Sequence, residues 1–148
     1  MEAFAAAIGN SSYKTLREFV MKHQTMQDSK SISPECGRTK GVGGSVPQPL
    51  PEKYVVWQHG DNEGFTPSHE GPCELWCDDE RVFSEKNCAK TYSQIPAKLP
   101  YERAKCVGKK RLQIVWLALH ETRWQTGWGP WNLLLPPAPC QLHRQHQQ

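Results

Sequence analysis

The sequence predicts a mainly β protein: an antiparallel β-sandwich stapled by disulfides, with a short N-terminal helix and long loops. Three observations carry that expectation. Short β-prone runs recur between irregular connections. One continuous apolar run, residues 112–119, suits a strand buried on both faces. Six cysteines lie within only 148 residues.

The elements follow in chain order. Residues 11–24 read as an amphipathic helix, because Tyr13, Leu16, Phe19, Val20 and His23 recur at three- and four-residue steps and Ser11 or Ser12 can cap the start. His23 lies on or beside that stripe and reads as a partly buried packing residue, since no second ligand type sits at matching spacing. Residues 33–51 (SPECGRTKGVGGSVPQPLP) are rich in Gly and Pro and predict a loop. Residues 54–57 (YVVW) form a short β-prone run. Residues 73–76 and 81–83 flank Asp78-Asp79 as the arms of a hairpin would. Trp57, Trp76 and Trp116 alternate with apolar neighbours and belong in a core. Residues 129–148 differ in kind: their Pro and Gln bias has no strand or helix period, which predicts a disordered tail or an aberrantly spliced or frame-shifted end. The expected organisation is one domain over 1–128 and this tail over 129–148.

Composition narrows the function classes. Hydrophobic residues make up 37% and charged residues 22%, enough for one modest core. A formal charge of +3 does not argue for nucleic acid. The run Lys109-Lys110-Arg111 reads as a solvated turn between strands. A mildly basic surface suits an anionic polymer such as a polyuronide, though only weakly. Nothing approaches the ~20 apolar residues of a membrane span. Cys36, Cys73, Cys77, Cys88, Cys106 and Cys140 predict about three disulfides and an oxidising compartment. Zinc is the competing reading, but no C-x-x-C pair occurs and the closest pair, Cys73 and Cys77, is more widely spaced; disulfides are favoured. The start MEAFAAAI is short and acidic for a secretion signal, so the true N-terminus is expected upstream of Met1.

Two segments carry chemistry. The first is Trp57-Gln58-His59-Gly60, followed by Ser68-His69-Glu70-Gly71-Pro72-Cys73. A histidine just before Gly-Pro sits on a rigid turn entering a strand, which fixes the direction of its ring. Imidazole is a good copper ligand, but one ring needs further nitrogen donors to make a tight site. The second is Trp116-Leu117-Ala118-Leu119-His120, with Trp124-Gln125 beyond it. A polar His ending a buried strand either caps it structurally or faces a site. His59 reads as a polar loop residue.

Together these segments resemble the lytic polysaccharide monooxygenases, most of all the oomycete family that oxidises pectic homogalacturonan. The resembling stretches are PQPLP (47–51), EGFTPSHEGPCELWCDD (63–79), RVF (81–83), NCAK (87–90), KLPYERAKC (98–106), WLALH (116–120) and WQ (124–125). The resemblance runs over residues 11–125 and includes five cysteines in order. It implies an immunoglobulin/fibronectin-like sandwich and a copper histidine brace, in which an N-terminal His gives its amine and ring and an internal His gives a third nitrogen. The internal ligand maps onto His69, and the hydrogen-bonding pair near the oxygen site maps onto His120 and Gln125. It further implies a secreted monomer acting on plant cell-wall polysaccharide with an external electron donor, without nucleic acid or membrane partners.

Two departures qualify it. The chain is expected to start inside the domain, ahead of its first helix, with the family's N-terminal His lying upstream. After Gln125, Gly127 stands where an axial Tyr is expected, and the Pro/Gln-rich tail replaces the family's ending. The expectation is therefore an incomplete form, weakly active or inactive. The alternatives are a noncatalytic secreted carbohydrate-binding or effector-like cysteine-rich module and, more distantly, an intracellular zinc protein.

Overall fold

The structure is a computed structural model and describes residues 2–23, 49–58 and 64–119. Two short helices open it. The alanine-rich α1 (Glu2–Gly9) has strong intrinsic helix propensity. It ends at Gly9, where the Ser11 hydroxyl and amide both donate to the Ile8 carbonyl. α2 (Leu16–His23) follows. A single helix over 11–24 is thus corrected to one that starts at Leu16, and α1 is an addition. The cap is also different: Thr15 Oγ1 accepts from the Glu18 amide at 3.1 Å, and the Glu18 carboxylate accepts from the Lys14 amide at 2.8 Å. That is a capping-box exchange shifted by one residue, and it satisfies amides that the first helical turn leaves open.

The remainder is mainly β. The strands are β1 (Tyr54–Trp57), β2 (Cys73–Cys77), β3 (Glu80–Glu85), β4 (Ala97–Pro100) and β5 (Leu112–Trp116). A short helix α3 (Cys88–Thr91) follows β3, and a 3-10 turn (Arg103–Cys106) follows β4. β1 pairs with β4 in one antiparallel sheet; β3, β2 and β5 form a second, with β2 central and both pairings antiparallel. Asp78 turns the β2–β3 hairpin with φ of 50°, a left-handed value Asp tolerates better than most residues. Its carboxylate then accepts the amides of Lys110 and Arg111, fastening the turn to the entry of β5.

In the three-stranded sheet β2 and β5 are buried on both faces, while the edge strand β3 is largely exposed. Cys73, Leu75 and Cys77 of β2, with Leu112, Ile114 and Trp116 of β5, share one core with Val55, Trp57, Ala97 and Leu99 of the two-stranded sheet. Trp76, Val115 and Leu117 point the other way and pack on Phe4, Leu16 and Val20 of the helices. Leu16 and Val20, buried there, each contribute about 1.5–3 kcal/mol of apolar burial. This two-sided cover explains why 112–119 reads as a continuous apolar run. All three expected core tryptophans are buried, and none of their indole N–H groups has a hydrogen-bond partner.

Disulfides join Cys73 to Cys88 and Cys77 to Cys106. Both start on β2; one holds α3 and the other the 3-10 turn, and the four thiols so bridged are not zinc ligands. Cys36 and Cys140 lie outside the described residues, as do the tail over 129–148 and most of the 33–51 loop. Two bridges in so small a fold fit an oxidising, extracellular environment. Among the described residues no helix is long and apolar enough to cross a membrane.

Candidate functional site

The segment carrying His69 is built by contacts at both of its ends. Gly64 lies hard against the 93–96 loop: a Cβ there would come within 2.8 Å of the Gln94 carbonyl oxygen. The next residue, Phe65, drops its ring edge-on against Trp116 at 4.9 Å and beside Trp57 at 5.9 Å. Residues 66–69 then form a turn closed by the His69 amide donating to the Thr66 carbonyl at 2.8 Å. Pro67 stands where a turn benefits from its fixed φ.

Beyond the turn the chain runs into β2 and is already paired. The Leu119 amide donates to the Glu70 carbonyl at 2.7 Å, and the Leu117 amide to the Pro72 carbonyl at 3.0 Å. These two bonds continue the β2–β5 register past Cys73↔Trp116. From the other side the Cys88 amide donates to the Gly71 carbonyl, and Asn87 Oδ1 accepts from the Gly71 amide. Gly71 is required by proximity, since a Cβ on it would lie 1.8 Å from the Leu117 carbonyl oxygen.

On this frame the half-buried His69 ring sits 6.3 Å from the Trp116 ring centre, and its Nδ1 is 3.0 Å from Ser68 Oγ. The expected turn entering a strand is present. Among the described residues, however, no three His, Cys, Asp or Glu side chains converge as a metal site. One imidazole is fewer nitrogen donors than a tight copper site needs. His59, His120 and Gln125 lie outside the described residues; the strand that leads to His120 is described as far as Leu119.

His23 is exposed instead of partly buried. Its Nε2 meets the Tyr13 hydroxyl at 2.7 Å and its ring leans on Phe19. Lys109 and Lys110 are solvated, as expected of that run.

Sequence reasoning missed a charged cluster on the helical side of the sheet. Glu74 is only 3% exposed. One of its oxygens accepts the Arg17 amide at 2.7 Å and the other accepts Arg81 Nη1 at 2.8 Å. The Arg17 guanidinium lies 3.7 Å over the Trp76 ring and donates to the Asp78 carbonyl and to Asp79. Burial lowers the Arg17 pKa from its ordinary value, and the hydrogen bond and charge of Asp79 oppose that shift. Its partners are distant in sequence, so no local spacing reveals them. The available signal was Glu74 itself, a carboxylate inside the CELWC strand.

No model of a known protein family matches this chain, and no curated protein matches it either.

Proposed function

We propose that this chain carries a copper-dependent domain for oxidative cleavage of plant cell-wall polysaccharide, of the lytic polysaccharide monooxygenase type, with pectic homogalacturonan as substrate. In this reading the two sheets form an immunoglobulin/fibronectin-like sandwich of a secreted monomer. His69 is one copper ligand, while His120 and Gln125 lie near the oxygen site. The supporting observation is the Leu119–Glu70 backbone bond at 2.7 Å. It draws the strand that leads to His120 alongside the turn that carries His69, as a shared site requires. The remaining nitrogen donors must come from residues outside those described, and electrons from an external donor. The protein's own part is to fix the His69 ring through Ser68 and the 66–69 turn, because the partners of a ligating imidazole set its tautomer and direction.

The test is Cu(II) titration with nitrogen hyperfine detection, followed by an oxidised-product assay on polygalacturonate. A nitrogen signal that disappears in His69→Ala supports the reading, and an unchanged signal overturns it. A second reading is a noncatalytic carbohydrate-binding or effector-like module, for which the disulfide-stapled fold serves as a scaffold. Binding of oligogalacturonate with neither copper affinity nor oxidised products would select it.

A further inference from the structure

We propose that the cleft between α1, α2 and the β2–β3 hairpin binds an amphipathic carboxylate, a singly charged head on an apolar body. This site is separate from His69 and does not rest on the copper reading. His69 contacts Trp116, on the face of the sheet where Cys73 and Leu75 pack. The cleft is lined by Glu74 on the opposite face and reaches the start of β2 at Pro72 and Cys73; His69 is not among its lining residues.

The cleft has a volume of about 650 Å3, within the usual range of small-molecule sites. Phe4, Ile8, Leu16 and Leu119 give it an apolar wall. Lys14, Arg81 and Lys86 also line it, against two carboxylates, Glu74 and Glu85. Both Glu74 oxygens are engaged, by Arg17 and Arg81. Glu85 accepts the amides of Lys86 and Asn87 through one oxygen. The Lys14 and Lys86 ammonium groups have no ion-pair partner among the described residues. One positive charge is left over, which suits one carboxylate.

Arg81 is the recognition group. Its Nη1 is held by the buried Glu74, while its side chain stays 43% exposed. The rest of its planar fork is therefore presented to the cleft already oriented, a geometry that matches a carboxylate. A bulge makes this possible. Leu75 pairs with Phe83 and Trp76 with Arg81, so Val82 is an extra residue in β3. Bulges re-aim side chains. This one lets Ser84 and Arg81, three residues apart, both line the cleft.

The experiment is calorimetric titration of the full oxidised chain with decanoate, octanoate and decyltrimethylammonium, all below their micelle concentrations. Decanoate should bind saturably at one per chain. Octanoate should bind roughly tenfold or more weakly, at about fourfold per methylene. The cation should not bind. Lys14 and Lys86 are exposed, so K14Q/K86Q should keep the wild-type melting temperature and weaken decanoate at least fivefold. R81K keeps a charge on Glu74 but loses the fork, and should also weaken it. Nonsaturable uptake, equal binding of the cation, or unchanged decanoate affinity in K14Q/K86Q overturns the proposal.

Discussion

Gly71 and Leu117 approach so closely that a Cβ on the first would meet the carbonyl oxygen of the second at 1.8 Å. Backbone atoms on both sides leave no flexible side chain to yield. Gly71→Ala must therefore push apart the pairing that holds Glu70 and Pro72 to Leu119 and Leu117. The expected loss is roughly 2 kcal/mol or more, read as a lower urea midpoint. Gly108→Ala is the control. Its φ is 78° but nothing lies within 4 Å of a new Cβ, so only the left-handed backbone cost of about 1–2 kcal/mol applies.

The two disulfides close loops of different size, with sequence separations of 15 and 29. Each is expected to contribute about 2–4 kcal/mol, and loop entropy makes the longer one worth roughly 0.6 kcal/mol more. Replacing Cys77 and Cys106 together by Ala should thus lower the urea midpoint more than replacing Cys73 and Cys88. Four free thiols from these residues in the folded, oxidised protein would contradict the pairing.

Tyr101 donates its hydroxyl to the Pro51 carbonyl, and burial raises its pKa above the ordinary phenol value. The neutral phenol is the form the fold favours. Its contribution is complete below the unfolded pKa of about 10 and is lost as pH rises through the higher folded value. Stability should fall with pH from about 10 upward, and Tyr101→Phe should flatten that slope. An unchanged alkaline slope in the variant refutes this. Tyr92, raised by burial and by the charge of Glu85, has the same sign and remains in the variant as a background.

Copper affinity offers the sharpest separation of roles. On the copper reading, His69→Ala should remove copper binding and oxidised product together. His120→Ala or Gln125→Ala should keep most of the copper while turnover falls about 10–100-fold. His59→Ala should be nearly silent. Loss of copper in His59→Ala with normal binding in His69→Ala would exchange their assignments.

The strands with strong local signals were legible. YVVW is β1, CELW and RVF lie within β2 and β3, and LQIVW is β5. β4 was not, because Ala97-Lys98-Leu99-Pro100 has little β propensity; it becomes a strand through pairing with β1. α1 was set aside as a poor secretion signal although its alanines favour a helix, and the start of α2 was visible in Thr15-Leu16-Arg17-Glu18. At the site, the turn that carries His69 into a strand followed from Gly71-Pro72. The Arg17–Glu74 and Arg81–Glu74 contacts did not, because burial of a charge depends on tertiary packing that periodicity does not encode.

Both cross-links leave from one strand: Cys73 reaches Cys88, and Cys77 reaches Cys106. A peptide bond hydrolysed anywhere between Cys73 and Cys106 therefore severs the polypeptide without releasing a fragment. Cuts after α3 leave Cys77–Cys106 spanning the break, and cuts within β2 leave Cys73–Cys88 spanning it. A single nick in the surface loops of this region leaves the two pieces linked, heavier by one water, and they separate only when reductant is added.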